Sequence, residues 1–195
     1  MAKDAVICKP CGVLPDLGER VGNRKMKILL IAYGNPYRGD DGIGAWILQY
    51  IKGDGLLYFK PEGRRKETED RREGIEGVKK GTPSVDKLIL QELTLDLAET
   101  LAQYNLVVFI DAAISGEPVT WRELKADNVS SPLSHHLPPE KLLFYAELLY
   151  QKTPHAFLLS VRGDSFEFEE HLSPAAQKNS WLALKQLEDF LSGKV

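Results

Sequence analysis

The sequence predicts an α/β three-layer sandwich around a mainly parallel, mixed central sheet, and three observations carry that expectation. The apolar runs Ile28-Leu29-Leu30-Ile31-Ala32 and Leu106-Val107-Val108-Phe109-Ile110 have the length and uniform apolarity of strands covered on both faces. These runs alternate with segments whose apolar residues recur at helical spacing. The chain of 195 residues is 43% hydrophobic and 27% charged, ordinary values for one globular domain with a sizeable core.

The elements follow in order. The first strand, Ile28 to Ala32, ends at the punctuation Gly34-Asn35-Pro36. Ile43, Trp46, Ile47, Tyr50 and Ile51 then recur at i, i+3, i+4, i+7 and i+8, which is helical spacing. Gly53 to Asp86 reads as a mobile loop inserted after that helix, with Leu56-Leu57-Tyr58-Phe59 a short strand within it. Its part from Lys60 to Lys80 holds eight Lys/Arg, six Asp/Glu and three Gly, too little apolar surface to offset the entropy of ordering. A docking arm for a partner is the functional rival for that stretch. Leu88-Ile89-Leu90 resumes as a strand, and Leu93, Leu97, Ala98 and Leu101 give a helix. The second fully buried strand runs from Leu106 and ends at Asp111. A further strand covers Val119 to Leu124. Pro138-Pro139-Glu140 opens a helix carrying Leu142, Leu143, Ala146 and Leu149, since proline suits a first helical turn. Ala156 to Val161 is another strand. Ser173-Pro174 opens the last helix, with Trp181, Leu184, Leu187 and Leu191 on its buried face. There is no internal repeat. Residues 1–25 read as a poorly ordered extension, and 26–195 as a single domain with the charged insertion at about 53–86.

Composition excludes several classes. A net charge of -3 offers no basic excess for a nucleic-acid partner. The N-terminus lacks the apolar core of a signal peptide, and no apolar stretch approaches the ~20 residues of a membrane span. A cytoplasmic protein free of membrane and nucleic acid is the simplest expectation. Both cysteines lie in Cys8-Lys9-Pro10-Cys11, half of a four-cysteine zinc site with no second pair. They read as reduced thiols in the extension, with a redox or metal role as the rival.

The chemistry rests on the polar residues that terminate apolar strands. Asp40 and Asp41 sit where the first strand turns into a helix, between glycines that let backbone approach closely. In an open α/β sheet that end of the strand faces the ligand crevice. Asp111 closes the most apolar strand; by itself it is better read as a turn or cap residue. Ser134-His135-His136-Leu137 lies in a Ser/Pro-rich loop before a helix, where a histidine is ordinarily just exposed. Taken together, Asp40 or Asp41, Asp111 and one of the histidines make two carboxylates and an imidazole, a labile site for a divalent metal. Convergence requires the first strand to neighbour the strand ending at Asp111. No Gly-x-Ser-x-Gly elbow and no His-Glu-x-x-His helix occurs, so serine-hydrolase and zincin mechanisms have no local support. Ser134 beside His135 is not thereby aimed at the ring, so a triad with Asp111 has no support either.

Several stretches resemble one family in register. Lys27-Ile28-Leu29-Leu30, Gly34-Asn35-Pro36 and Gly39-Asp40-Asp41-Gly42-Ile43-Gly44 look like the opening motif of the NiFe-hydrogenase maturation endopeptidases. Val107-Val108-Phe109-Ile110-Asp111-Ala112 resembles their second motif and Ser134-His135-His136-Leu137 their third. Phe166-Glu167-Phe168 with Leu172-Ser173-Pro174 resembles a fourth stretch near the C-terminal helix, so the likeness covers Met26 to about Leu191. The resemblance implies a phosphorylase/hydrolase-like sandwich and a metal-dependent, aspartic-type hydrolase. Such an enzyme removes the C-terminal extension of a hydrogenase large-subunit precursor, recognising nickel carried by that substrate. It implies no organic cofactor, and a monomer is the expected state. Matched residue by residue, the metal-binding and catalytic positions fall on Asp41, Asp111 and His135. Asp41 is the shorter of the two acids the family uses there. Asp40 then becomes a loop or cap neighbour, and His136 an outer or exposed group. The cysteines and the Lys60–Lys80 stretch lie beyond the family core.

Two rivals belong to other classes. A peptidyl-tRNA hydrolase-like esterase shares the α/β body and a Gly-Asn-Pro after the first strand, but Asp40, Asp41 and Gly42 stand where its His and Asn would be. A maturation chaperone that binds precursor without cutting it is the other. Retention of all three candidate ligands speaks against that reading. A Rossmann nucleotide binder fits worse, because Gly34-Asn35-Pro36 breaks its glycine pattern.

Overall fold

A computed structural model describes residues 26–51, 55–58, 83–128 and 137–192. The elements in order are β1 (Lys27–Tyr33), α1 (Ile43–Tyr50), β2 (Gly55–Tyr58), β3 (Ser84–Leu90), α2 (Leu97–Leu101), β4 (Leu106–Ala113), β5 (Val119–Leu124), α3 (Pro139–Tyr150), β6 (His155–Arg162) and α4 (Pro174–Leu191). The strands form one six-stranded sheet in the order β2-β3-β1-β4-β6-β5. Every neighbouring pair is parallel except β5 with β6. The expected three-layer sandwich with a mainly parallel, mixed sheet is therefore the fold.

Alternation along the central strands divides the core in two. Ile28, Leu30 and Ala32 of β1 pack with Val108 and Ile110 of β4 under α1 and α4. Leu29 and Ile31 pack with Val107 and Phe109 under α2 and α3. Both strands are apolar at every position because each face is covered.

β3 pairs with one side of β1 and β4 with the other, so successive strands turn outward from β1 in opposite directions. The crevice at the carboxyl ends of β1 and β4 is thus a topological switch point, where ligands bind in open α/β sheets. α1 reaches down onto this crevice through Gly44. A Cβ at Gly44 would lie 2.9 Å from Ala32 Cβ and 3.0 Å from the Ile110 carbonyl oxygen, so only glycine lets the helix start this close.

Some boundaries differ from expectation, each for a physical reason. β4 does not end at Asp111; it continues to Ala113 because β6 pairs with it as far as Arg162. β3 begins at Ser84, inside the expected loop, because Ser84 pairs with Lys27 of β1 and its N–H donates to the Met26 carbonyl at 3.0 Å. The short strand within the insertion exists as β2 and ends at Tyr58; the Lys60–Lys80 stretch lies outside the described residues, as does the 1–25 extension with Cys8 and Cys11. α2 is one short helix, and Leu93 is buried ahead of it rather than within it. Tyr50 and Leu149, at the helical spacing of α1 and α3, are exposed. So is Trp181, at 52%, because the stripe of α4 that faces the sheet runs through Ala176, Ser180, Ala183, Leu184, Leu187 and Phe190. Trp181 sits beside that stripe and packs on Trp46 and Tyr50, with ring centroids 5.1 and 5.0 Å away.

Candidate functional site at the β1 and β4 carboxyl ends

Asp41 stands in a single 3-10 turn, Gly39–Gly42, that leads directly into α1. Its Oδ2 accepts the Asn35 N–H at 2.6 Å, and its own N–H donates to the Arg38 carbonyl at 3.1 Å. The carboxylate lies over the end of β1. Gly34 adopts φ +135° there, and any side chain at that position would overlap the Asp41 carbonyl. The glycine after the strand is therefore what lets the acid fold back over the sheet.

Asp111 lies on β4 one residue past the last rung shared with β1, Ala32 with Ile110. It follows Val107 and Phe109 on the α2/α3 face, in phase with Leu29, Ile31 and Tyr33 of β1. The Tyr33 hydroxyl donates to Asp111 Oδ2 at 3.0 Å. Burial pushes the Tyr33 phenol well above its ordinary value, and the Asp111 charge and hydrogen bond push it further, so the tyrosine is a neutral donor. Glu140 at the start of α3 adds to that effect; it pairs with Arg122 of β5 at 2.6 Å. Asp111, Tyr33, Gly34 and Asp41 thus form a continuous run across the two strand ends.

Asp40 does something different. It has no exposed surface, and its side chain points away from the crevice into the segment between β6 and α4. Oδ2 accepts from Asp164 N–H at 2.6 Å, Ser165 N–H at 2.8 Å and the Ser173 hydroxyl at 2.7 Å, while Oδ1 accepts from Ser173 N–H at 2.7 Å. Burial alone would raise its pKa, but these donors outweigh it and hold the carboxyl below its ordinary value. The same Ser173 caps α4, its hydroxyl accepting the Ala176 N–H at 3.1 Å. Gly39 and Asp40 also donate backbone N–H groups to the Glu169 and Ser165 carbonyls, at 2.7 and 2.8 Å. The opening motif and the Leu172-Ser173-Pro174 stretch are therefore one clasp.

His135, with Ser134 and His136, lies outside the described residues, and the chain resumes at Leu137, packed against the α2/α3 core. Among the described residues there is no group of three or more His, Cys, Asp or Glu placed to hold a metal ion. Two oxygen donors, Asp41 and Asp111, are the described part of the expected set; carboxylate oxygen is a reasonable donor for nickel but does not exclude other divalent ions. Also among the described residues, no helix is long and apolar enough to cross a membrane.

Sequence reasoning did not single out Tyr33. Its signal was present: a tyrosine at the end of an otherwise aliphatic strand carries a polar group that needs a partner when buried. Ser173 reads from the sequence as a helix start only; its hydroxyl also donates to Asp40 Oδ2.

Several solved structures share this fold. The chain is similar to the hydrogenase maturating endopeptidase HybD from E. coli, at 19% identity over 87% of this chain and 94% of that one, with a TM-score of 0.60. It is similar to the NiFe hydrogenase maturation protease HycI from Thermococcus kodakarensis KOD1, at 20% identity over 86% and 94%, with a TM-score of 0.56. An endopeptidase from Escherichia coli is 22% identical over 83% and 90%, with a TM-score of 0.54. What these likenesses share with the chain is the fold. No protein-family model matches the chain, and no curated protein sequence does.

Proposed function

We propose that this protein is an endopeptidase of hydrogenase maturation, which removes the C-terminal extension of a nickel-loaded large-subunit precursor. The observation that carries the reading is that Asp41 lies over the end of β1 and Asp111 one residue past the last β1–β4 rung, on a fold shared with solved hydrogenase maturation endopeptidases. Sequence resemblance supplies the third member, His135.

The chemistry suits inspection of a metal already held by the substrate. Two carboxylates and an imidazole bind a divalent ion without the thiolates that would retain it. Three protein donors leave coordination positions for substrate groups or water. Nickel carried by the precursor would be met by Asp41, Asp111 and His135, and a metal so placed can polarise a carbonyl or acidify a water. Asn35 fixes one oxygen of Asp41 and Tyr33 one oxygen of Asp111, so neither carboxylate pivots freely. The precursor is the partner and the cytoplasm the compartment in this reading.

Processing of purified nickel-loaded precursor tests it. Asp41→Asn, Asp111→Asn and His135→Ala should each lower the cleavage rate at least about a hundredfold while leaving the far-UV circular dichroism unchanged. Normal cleavage by any of the three removes that residue from the site. Nickel-free precursor should stay uncut, and equal processing of both forms would end the metal-inspection idea.

A further inference from the structure

We infer that Tyr33 is a positioning residue for Asp111, a role that rests on the reading of Asp111 as the acid meeting the substrate. The aliphatic stripe Leu29, Ile31 of β1 ends on this face in a tyrosine, and the matching stripe Val107, Phe109 of β4 ends in Asp111. The β1–β4 ladder stops one residue earlier, at Ala32 and Ile110, so the backbone no longer ties these two positions together. The side chains do so instead, through the 3.0 Å bond from the Tyr33 hydroxyl to Asp111 Oδ2.

Each part of the phenol has a task. The half-buried ring packs against the α2/α3 core, where it cannot swing. An aromatic side chain has two rotatable bonds, so its hydroxyl is delivered to a fixed point at small entropic cost. The hydroxyl donates to the carboxylate at 3.0 Å. One oxygen of Asp111 is thus held within the protein's own layer, which selects the side-chain rotamer that presents the other oxygen at the crevice. Outer hydrogen bonds of this kind orient metal-binding and catalytic carboxylates, and losing one typically costs 10- to 100-fold in affinity or activity. Asp41 is held by a different donor, the Asn35 backbone N–H. Asp41 thus takes a main-chain donor, and Asp111 takes a side-chain hydroxyl that can be replaced.

Tyr33→Phe keeps the ring and deletes only the hydroxyl, so packing against the core is preserved. With nickel-loaded precursor the variant should lose at least about tenfold in kcat, with KM within about twofold of the parent. Three-bond couplings to the Asp111 carboxyl carbon should report one χ1 rotamer in the parent and an averaged one in Tyr33→Phe. Parent-like kcat in the variant, or a raised KM at unchanged kcat, overturns the inference, as does an Asp111 rotamer that stays single. If the parent protein leaves the precursor intact, the proposed function fails, whereas the coupling measurement still decides whether Tyr33 orients Asp111.

Discussion

A carboxylate with no exposed surface and four donors is charged because of those donors, and Asp40 derives its stabilising effect from that charge. Its folded pKa lies below the ordinary 3.8, so its stabilisation is fully present above that value and is lost as pH falls through the lower folded one. Asp40→Asn offers one acceptor oxygen in place of two and turns an amide N–H toward backbone donors. Chemical denaturation at neutral pH should show a loss of about 2–4 kcal/mol, shrinking as the pH falls below the ordinary carboxyl range. A pH-independent loss would mean that packing, not charge, is at stake. Adjacent aspartates are chemically identical in the sequence, and their separation into a candidate ligand and a loop or cap neighbour came from resemblance. What sequence could not convey is what Asp40 fastens, because its partners lie more than a hundred residues away in the 164–173 segment.

At the scale of elements, legibility followed the strength of the local signal. β5 spans the expected residues, and α3 starts at the Pro138-Pro139 signal, because their alternation and first-turn prolines are local properties. β3 was half hidden. Ser84-Val85-Asp86 reads as the end of the mobile loop, yet with Lys87 it belongs to an internal strand whose charges are used inside the fold. Lys87 donates to the Ile51 carbonyl at 2.8 Å, closing the end of α1, and Asp86 accepts from the Tyr104 hydroxyl at 2.9 Å. Trp181 was misplaced because apolar spacing alone cannot say which of two adjoining stripes meets the sheet. α1 is the element on which the site depends most directly. Gly44→Ala would drive a methyl into Ala32 and the Ile110 carbonyl and push the helix off the strand ends. Its thermal midpoint should fall by several degrees, for about 1–3 kcal/mol of overpacking, and its cleavage rate should fall further than stability alone explains. A stable variant with parent-like activity would show that α1 need not sit this close.

For the whole molecule, the decisive fact is strand order, which no local pattern encodes. β1 lies between β3 and β4 and serves both cores, so neither layer stands without it. Leu30→Ala and Ile31→Ala remove fully buried side chains from opposite faces, and each should cost about 2–5 kcal/mol with the denaturant slope unchanged. A reduced slope in one of them would indicate that its layer melts separately. The division into two layers also has an optical consequence. The chain has three tryptophans, and all of them lie on the α1/α4 side. Trp121 is in that core, Trp46 packs against it, and Trp181 rests on Trp46. Indole emission is therefore a one-sided probe of this protein. It will register loosening of the layer that Ser173 caps and Asp40 fastens, and it will be dim to events on the opposite face, where Tyr33 holds Asp111.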